Sequence, residues 1–250
     1  MLAEEACRKG LHIWLGLDDR GGEGAAFDSL GNVYERQGRW AQAEEAYRQS
    51  LQISLEVEDR YGGAQTLNNL GNVYHGLSRL TDAEQAYREA LHIFRELAHP
   101  TDEAATLNNL GSVYLDQERL TEAEQAHQQS LQIRQAHKDR YGEGTALGNL
   151  GIAFQQQGRW KEAEQSHQHA LQIFRDLGCR HEEGQTLSNL AVLKEAEGDL
   201  AQAVASGRDA IKVLVTTEDE HLLRRTQAWV EEWERFVEDE SLSAHSTSDA

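Results

Sequence analysis

Apolar and small residues fall into two alternating blocks along this chain. In the first, Leu67, Leu70, Gly71 and Tyr74 sit at i, i+3, i+4 and i+7, one face of a helix. In the second, Leu80, Ala83, Tyr87, Ala90 and Leu91 keep the same spacing. At about 100° per residue, the side of the first helix away from its core face carries Gln65, Asn68, Asn69, Asn72 and Gly76. A short turn joins the two helices, and small residues at Gly71 and Ala83 let them approach closely.

The blocks recur every forty residues without a gap. "LGNVY" at Leu30–Tyr34 returns at Leu70–Tyr74, then as "LGSVY" from Leu110, "LGIAF" from Leu150 and "LAVLK" from Leu190. "AEEAYRQSLQI" from Ala43 returns from Ala83, Ala123 and Ala163. A fixed period of this length is the mark of a solenoid, because no single pair buries its apolar face and stacked neighbours complete one another's core. Five helix pairs are expected, starting near Gly21, Tyr61, Thr101, Tyr141 and His181 and filling residues 21–220. Gly38, Gly158 and Gly198 suit helix C-caps. Thr81-x-x-Glu84 and Thr121-x-x-Glu124 read as capping boxes opening the second helix. Pro100 stops a helix between pairs.

Both ends break the pattern. Residues 3–20 align with 43–60, so residues 1–20 read as an orphan second helix that leaves Ala6, Cys7, Leu11 and Trp14 partly uncovered. This suggests a fragment of a longer chain, or self-association through the N-terminal helix. From Glu218 onward, Leu222, Thr226, Trp229, Val230, Trp233 and Val237 form one stripe, a capping helix over residues 221–240. The tail, 241–250, is expected to be disordered.

Composition narrows the function classes. Apolar residues make up 39% and charged residues 27%, an ordered chain, and the net charge of −19 is opposite to that of a nucleic-acid binder. Cys7 and Cys179 have no metal-ligand spacing. No secretory leader or membrane-spanning run is visible, so the expected location is cytoplasmic, away from membranes. P-loop, GxSxG and HExxH motifs are missing; "HEEG" at His181 lacks a second histidine, and Gly22-x-Gly24 lacks the last glycine of a dinucleotide fingerprint. Glu44, Glu84, Glu124 and Glu164 recur at helix starts, where capping and the helix dipole account for them. No catalytic residue, metal site or cofactor is expected.

The phased positions resemble the tetratricopeptide repeat family. Its bulky residue, Leu-Gly, Tyr, Ala, aromatic and Ala fall on Leu67, Leu70-Gly71, Tyr74, Ala83, Tyr87 and Ala90. His127 and His167 replace the second aromatic, and Ala191, Lys194 and Gly207 depart in the fifth repeat, where looser packing is expected. The forty-residue spacing is similar to long-helix variants in kinesin light chain, Pins-type adaptors and bacterial regulators with a fused NTPase. The resemblance implies an all-α, right-handed α-solenoid of antiparallel helix pairs. It also implies that the first helices line a concave groove for a segment of a partner protein.

Placed on that fold, the groove floor consists of phases through the stack. Ser29, Asn69, Asn109, Asn149 and Asn189 make a carboxamide ladder; Asp28, Asn68, Asn108, Gly148 and Ser188 make a second phase. A third runs Asn32, Asn72, Ser112, Ile152, Val192, polar early and apolar late, which suggests a partner segment with an apolar anchor over the late repeats. With Gln65 these are the candidate peptide-binding residues, since a carboxamide both donates to and accepts from a peptide backbone. The competing expectation is that the asparagines bond between neighbouring first helices. The Asn68 and Asn72 phases hold no Lys or Arg, which disfavours recognition of a C-terminal carboxylate. The function expected is a protein-binding scaffold or adaptor rather than an enzyme. The alternative is the sensor or oligomerisation arm of a larger bacterial signalling regulator.

Overall fold

The computed structural model describes residues 2–248, and side chains for residues 3–237. All regular structure there is helical: α1 (Leu2–Leu17), α2 (Arg20–Arg36), α3 (Trp40–Glu56), α4 (Arg60–Gly76), α5 (Leu80–Glu96), α6 (Pro100–Asp116), α7 (Leu120–Ala136), α8 (Arg140–Gln156), α9 (Trp160–Leu177), α10 (Arg180–Ala196), α11 (Leu200–Leu214) and α12 (Glu220–Ser248). The chain forms two compact units, Met1–Ile133 and Arg134–Ala250. Within each, consecutive helices pack as antiparallel neighbours. The last helix carries the backbone from the capping segment into the tail, whose residues 249–250 lie outside the described residues.

The structural beat is twenty residues, half the sequence period. Every junction from α1 to α11 puts one residue in the left-handed region. Four are glycines, Gly38, Gly158, Gly178 and Gly198; six are Asp18, Glu58, Ser78, Ala98, Glu118 and Lys138, at φ of 54° to 59°. The cause is a repeated C-terminal bond pair. At the α4 end, Ser78 N–H donates to His75 C=O (2.8 Å) and Arg79 N–H to Tyr74 C=O (2.8 Å), a Schellman motif. Only Gly38, Gly158 and Gly198 were expected here; Gly178 and the six non-glycine positions were not.

The helix starts differ from expectation. Second helices α3, α5 and α9 have Arg39, Arg79 and Arg159 at the N-cap, with no side-chain cap. Thr81 and Thr121 lie inside α5 and α7, so neither opens a capping box. The arginines serve the seam between pairs instead. Arg39, Arg79 and Arg119 lie over the Tyr34, Tyr74 and Tyr114 rings at 4.3, 4.4 and 4.3 Å. Each also bonds a carboxylate of the preceding second helix: Glu4 at 2.7 Å, Glu44 at 3.0 Å, Glu84 at 2.7 Å. Glu44 and Glu84 therefore work as inter-pair anchors rather than as caps. Side-chain N-caps do occur on first helices, where Asp19, Asp59 and Asp139 accept from Gly22, Gly62 and Gly142 N–H at 2.9 Å each.

Inside each pair a ring lies flat on a glycine. A Cβ at Gly31 or Gly71 would fall 2.5 Å from the Tyr47 or Tyr87 ring; at Gly111 and Gly151 it would fall 2.6 and 2.5 Å from the His127 and His167 rings. The fifth pair exchanges these partners. Ala191 takes the glycine position, Gly207 takes the ring position, and α12 fills the space, with Val230 2.4 Å from where a Gly207 Cβ would be. Ala191, Ala203, Val230 and Trp233 form a buried cluster there, joined by Val192, Leu200, Val204, Ile211 and Trp229. Lys194, in the Tyr34 phase, pairs with Glu164 and Glu197, each at 2.9 Å. The departures in this repeat are thus compensated, and the looser packing expected of it is not observed.

Among the described residues no helix is long and apolar enough to cross a membrane, and no His, Cys, Asp and Glu cluster could hold a metal ion. Cys7 and Cys179 are free thiols.

Candidate peptide-binding surface

In the first unit, α2, α4 and α6 lie side by side, and their polar faces are laced by rungs. Between α4 and α6 the rungs recur every seventh residue. Tyr61 OH donates to Asp102 at 3.2 Å, Asn109 Nδ2 to Asn68 Oδ1 at 3.4 Å, and His75 Nε2 meets Asp116 at 2.5 Å. Between α2 and α4, Asn69 Nδ2 donates to Asp28 at 3.2 Å. Two turns of helix separate successive rungs, which keeps them on one face.

The expected site residues mostly meet here. Asn68, Asn69, Asn72, Asn108, Asn109 and Ser112 are half-buried, while Asn32 and Gln65 are exposed. Several carboxamides bond between helices, as the competing expectation has it. Asn72 Oδ1 accepts from Tyr87 OH at 2.6 Å and from Asn109 Nδ2 at 3.3 Å; Asn68 Oδ1 also accepts from Thr106 Oγ1 at 3.1 Å. Asn32 spends both ends, on Asp28 and on Tyr47 OH at 3.0 Å. Asn108 Oδ1 meets His127 Nδ1 at 3.2 Å, and Ser112 Oγ donates to Asn108 C=O at 3.3 Å. What remains is consistent along α4. Asn68 Nδ2, Asn72 Nδ2, Asn69 Oδ1 and Gln65 Oε1 have no hydrogen bond among the described residues. Each side chain is fixed by one end and presents the other.

A cavity of about 320 Å³ opens on this face, lined by Asp28, Asn32, Gln65, Asn68, Asn69 and Asp102 among others, without a Lys or Arg. Burial pushes the Asp28 carboxyl above its ordinary range, against the hydrogen bonds from Asn69 and Asn32. Burial raises Glu35 likewise, beyond what its bond from Tyr47 OH offsets, and the Asp28 charge adds to the rise. Asp102, Tyr61 and Thr106 escape a reading based on helical phase alone. The signal that finds two of them is the forty-one-residue offset joining Tyr61 to Asp102 and Asn68 to Asn109.

The second unit is less uniform. Asn149, Ile152 and Asn189 are half-buried on α8 and α10. Ser188, last in the Asn68 phase, is buried and bonds Thr226 of α12 at 3.0 Å. Val192 packs with the Trp233 cluster. The late end of these phases is therefore committed to α12 at both positions.

Comparison with known proteins fits this geometry. The tetratricopeptide repeat profile matches residues 3–96, 102–176 and 143–214, and the chain belongs to that family. No curated protein matches at the level of sequence. Among solved structures, BtubC (BKLC) from P. vanneervenii is 20% identical over 88% of this chain and 92% of its own, at a TM-score of 0.75. A Rap protein complexed with competence and sporulation factor is 18% identical over 90% of this chain and 66% of its own, at 0.74. A STAND protein of Pyrococcus horikoshii with a tetratricopeptide repeat sensor is 16% identical over 87% of this chain and 34% of its own, at 0.72. At these identities the likeness is one of fold.

Proposed function

We propose that the chain is a cytoplasmic protein-binding scaffold whose first-helix faces hold an extended segment of a partner. The observation that carries this reading is the half-spent carboxamide set on α4. Rung bonds fix each side chain, so little entropy is lost when its other end meets a peptide backbone. Asp28 and Asp102, with no Lys or Arg among the lining residues, favour a neutral or basic segment over an acidic one. The Rap complex offers a precedent for a factor bound to this fold.

The test uses a peptide selected from a random displayed library against the wild-type chain. Asn68→Asp and Asn72→Asp keep the rung oxygen and remove the free donor. Together they should weaken that peptide roughly tenfold or more while the melting temperature holds. Unchanged affinity would remove the α4 face from the binding site.

The STAND match supports a second reading, the sensor or oligomerisation arm of a larger regulator. An NTPase motif encoded upstream in the same reading frame would favour it; an unrelated upstream frame would count against it.

A further inference from the structure

Helix α12 stands where a first helix would, so its residues fall into the forty-residue phases. Gln227, Glu231 and Glu234 take the phases of Leu67, Gly71 and Tyr74, by which a first helix meets its own second helix. Trp229 and Glu232 take the phases of Asn69 and Asn72, on the open face. There α12 exchanges two carboxamides for an indole and a carboxylate, and Phe236 stands where Gly76 does in α4.

A cleft of about 450 Å³ opens on this face, bounded by α10, α11 and α12. Trp229, Trp233 and Phe236 line it from α12, one stripe at steps of four and three. The two indole rings lie 19° from parallel, with 6.2 Å between centroids, and Phe236 is 53% exposed. Val192 and Leu200 close the apolar side. Two exposed carboxylates, Glu195 and Glu232, complete the lining, without a Lys or Arg. Glutamates two residues away on the same helices are paired, Glu197 with Lys194 at 2.9 Å and Glu234 with Arg208 at 2.8 Å. Glu195 and Glu232 make no ion pair or side-chain hydrogen bond among the described residues.

These groups attract one kind of ligand. Aromatic faces draw a cation, and carboxylates draw it and accept its hydrogen bonds. A planar guanidinium meets both demands at once, because its face stacks while its edge donates; an ammonium is a hydrated point charge and stacks poorly. Arg225 already makes the first of these contacts within the chain, outside the cleft, 5.0 Å from the Trp229 centroid. The cleft is too open to enclose a free small molecule, which needs most of its surface buried. The cation therefore arrives on a larger molecule that finds further contacts beside it.

We propose that this cleft receives an arginine side chain of a partner protein, stacked on the α12 rings and held by Glu195 and Glu232. The proposal does not rest on the α4 carboxamides, and either can fail alone.

The test follows the indole N–H signals of Trp229 and Trp233 in the nitrogen-15-labelled full chain. A blocked glycyl-arginyl-glycine amide is added to about 20 mM, since a contact of this size binds in the millimolar range. Both signals should shift and saturate. The lysyl peptide should bind more weakly, and the citrullyl peptide, whose urea keeps the shape without the charge, should leave both signals unmoved. Glu195→Gln with Glu232→Gln should weaken the arginyl peptide roughly tenfold, with an unchanged melting curve because both positions are exposed. Unmoved indole signals, an equal response to the lysyl or citrullyl peptide, or a double variant that binds as the wild type does would each overturn the proposal. The signals report α12 alone, so the outcome is separate from that of the α4 variants.

Discussion

Two kinds of single position set the local geometry. At Gly71 the side chain must be a hydrogen atom, because the Tyr87 ring lies on the helix backbone and is itself 1% exposed. Gly71→Ala forces that ring out of place and should cost about 1–3 kcal/mol, read as a lower urea midpoint. At Ser78 the opposite change helps. The left-handed backbone there is imposed by the Schellman bonds of the junction, and serine pays a steric penalty that glycine does not. Ser78→Gly should therefore stabilise the first unit by about 0.5–1 kcal/mol after the entropy of glycine is charged against it. The two positions also differ in legibility. Leu-Gly at Gly71 is visible in sequence because the contact demands one residue type. The turn at Ser78 is not, because bonds from neighbouring backbone hold the shape whatever residue sits there. The capping boxes fail for a related reason. Thr81 and Glu84 have the right spacing, but the helix begins one residue before Thr81, and Glu84 is more strongly drawn to Arg119.

At the scale of an element, α12 completes the fifth pair. Trp233 is 6% exposed in the cluster that replaces the missing ring at Gly207. Trp233→Ala should cost about 3–5 kcal/mol, and hydrogen exchange should quicken in α10 and α11 first. Putting a ring back, as Gly207→Tyr, should fail to rescue the pair, since Val230 already stands in its place. A stripe of apolar residues from Leu222 to Val237 is what made a capping helix the expectation here. The exchange of partners beneath it was not evident, because it is a relation between three elements rather than a property of one. The same limit applied to α4. Phase placed its asparagines on an open face, but only adjacency of α2, α4 and α6 showed that one end of each is already used.

At the scale of the molecule, acid should weaken the fold through two buried imidazoles. Burial lowers His127 and His167 to about 4 from the ordinary 6.5. His127 Nε2 and both ring nitrogens of His167 have no hydrogen-bond partner among the described residues. A depressed histidine means the unfolded chain binds more protons between those two values. Stability is thus fully present above pH 6.5 and declines as pH falls towards 4, by up to about 3 kcal/mol for each. Asp28 and Glu35, raised by burial, act in the opposite sense. Urea midpoints from pH 7 to 4.5 should fall in the wild type and flatten in a His127→Tyr/His167→Tyr double variant, which restores the ring found in the first two pairs. An equally steep fall in the variant would assign the acid sensitivity elsewhere.

The exchange of Ala191 and Gly207 gives the array a direction. Within the first unit, pairs with a ring on a glycine follow one another through the same tyrosine and arginine seam. Only the pair without the ring has room to receive α12. Number and ending are therefore encoded separately. Copies added or deleted in multiples of forty residues ahead of Arg180 keep the terminator in place, whereas a copy placed after Leu214 would meet a surface shaped to stop the chain.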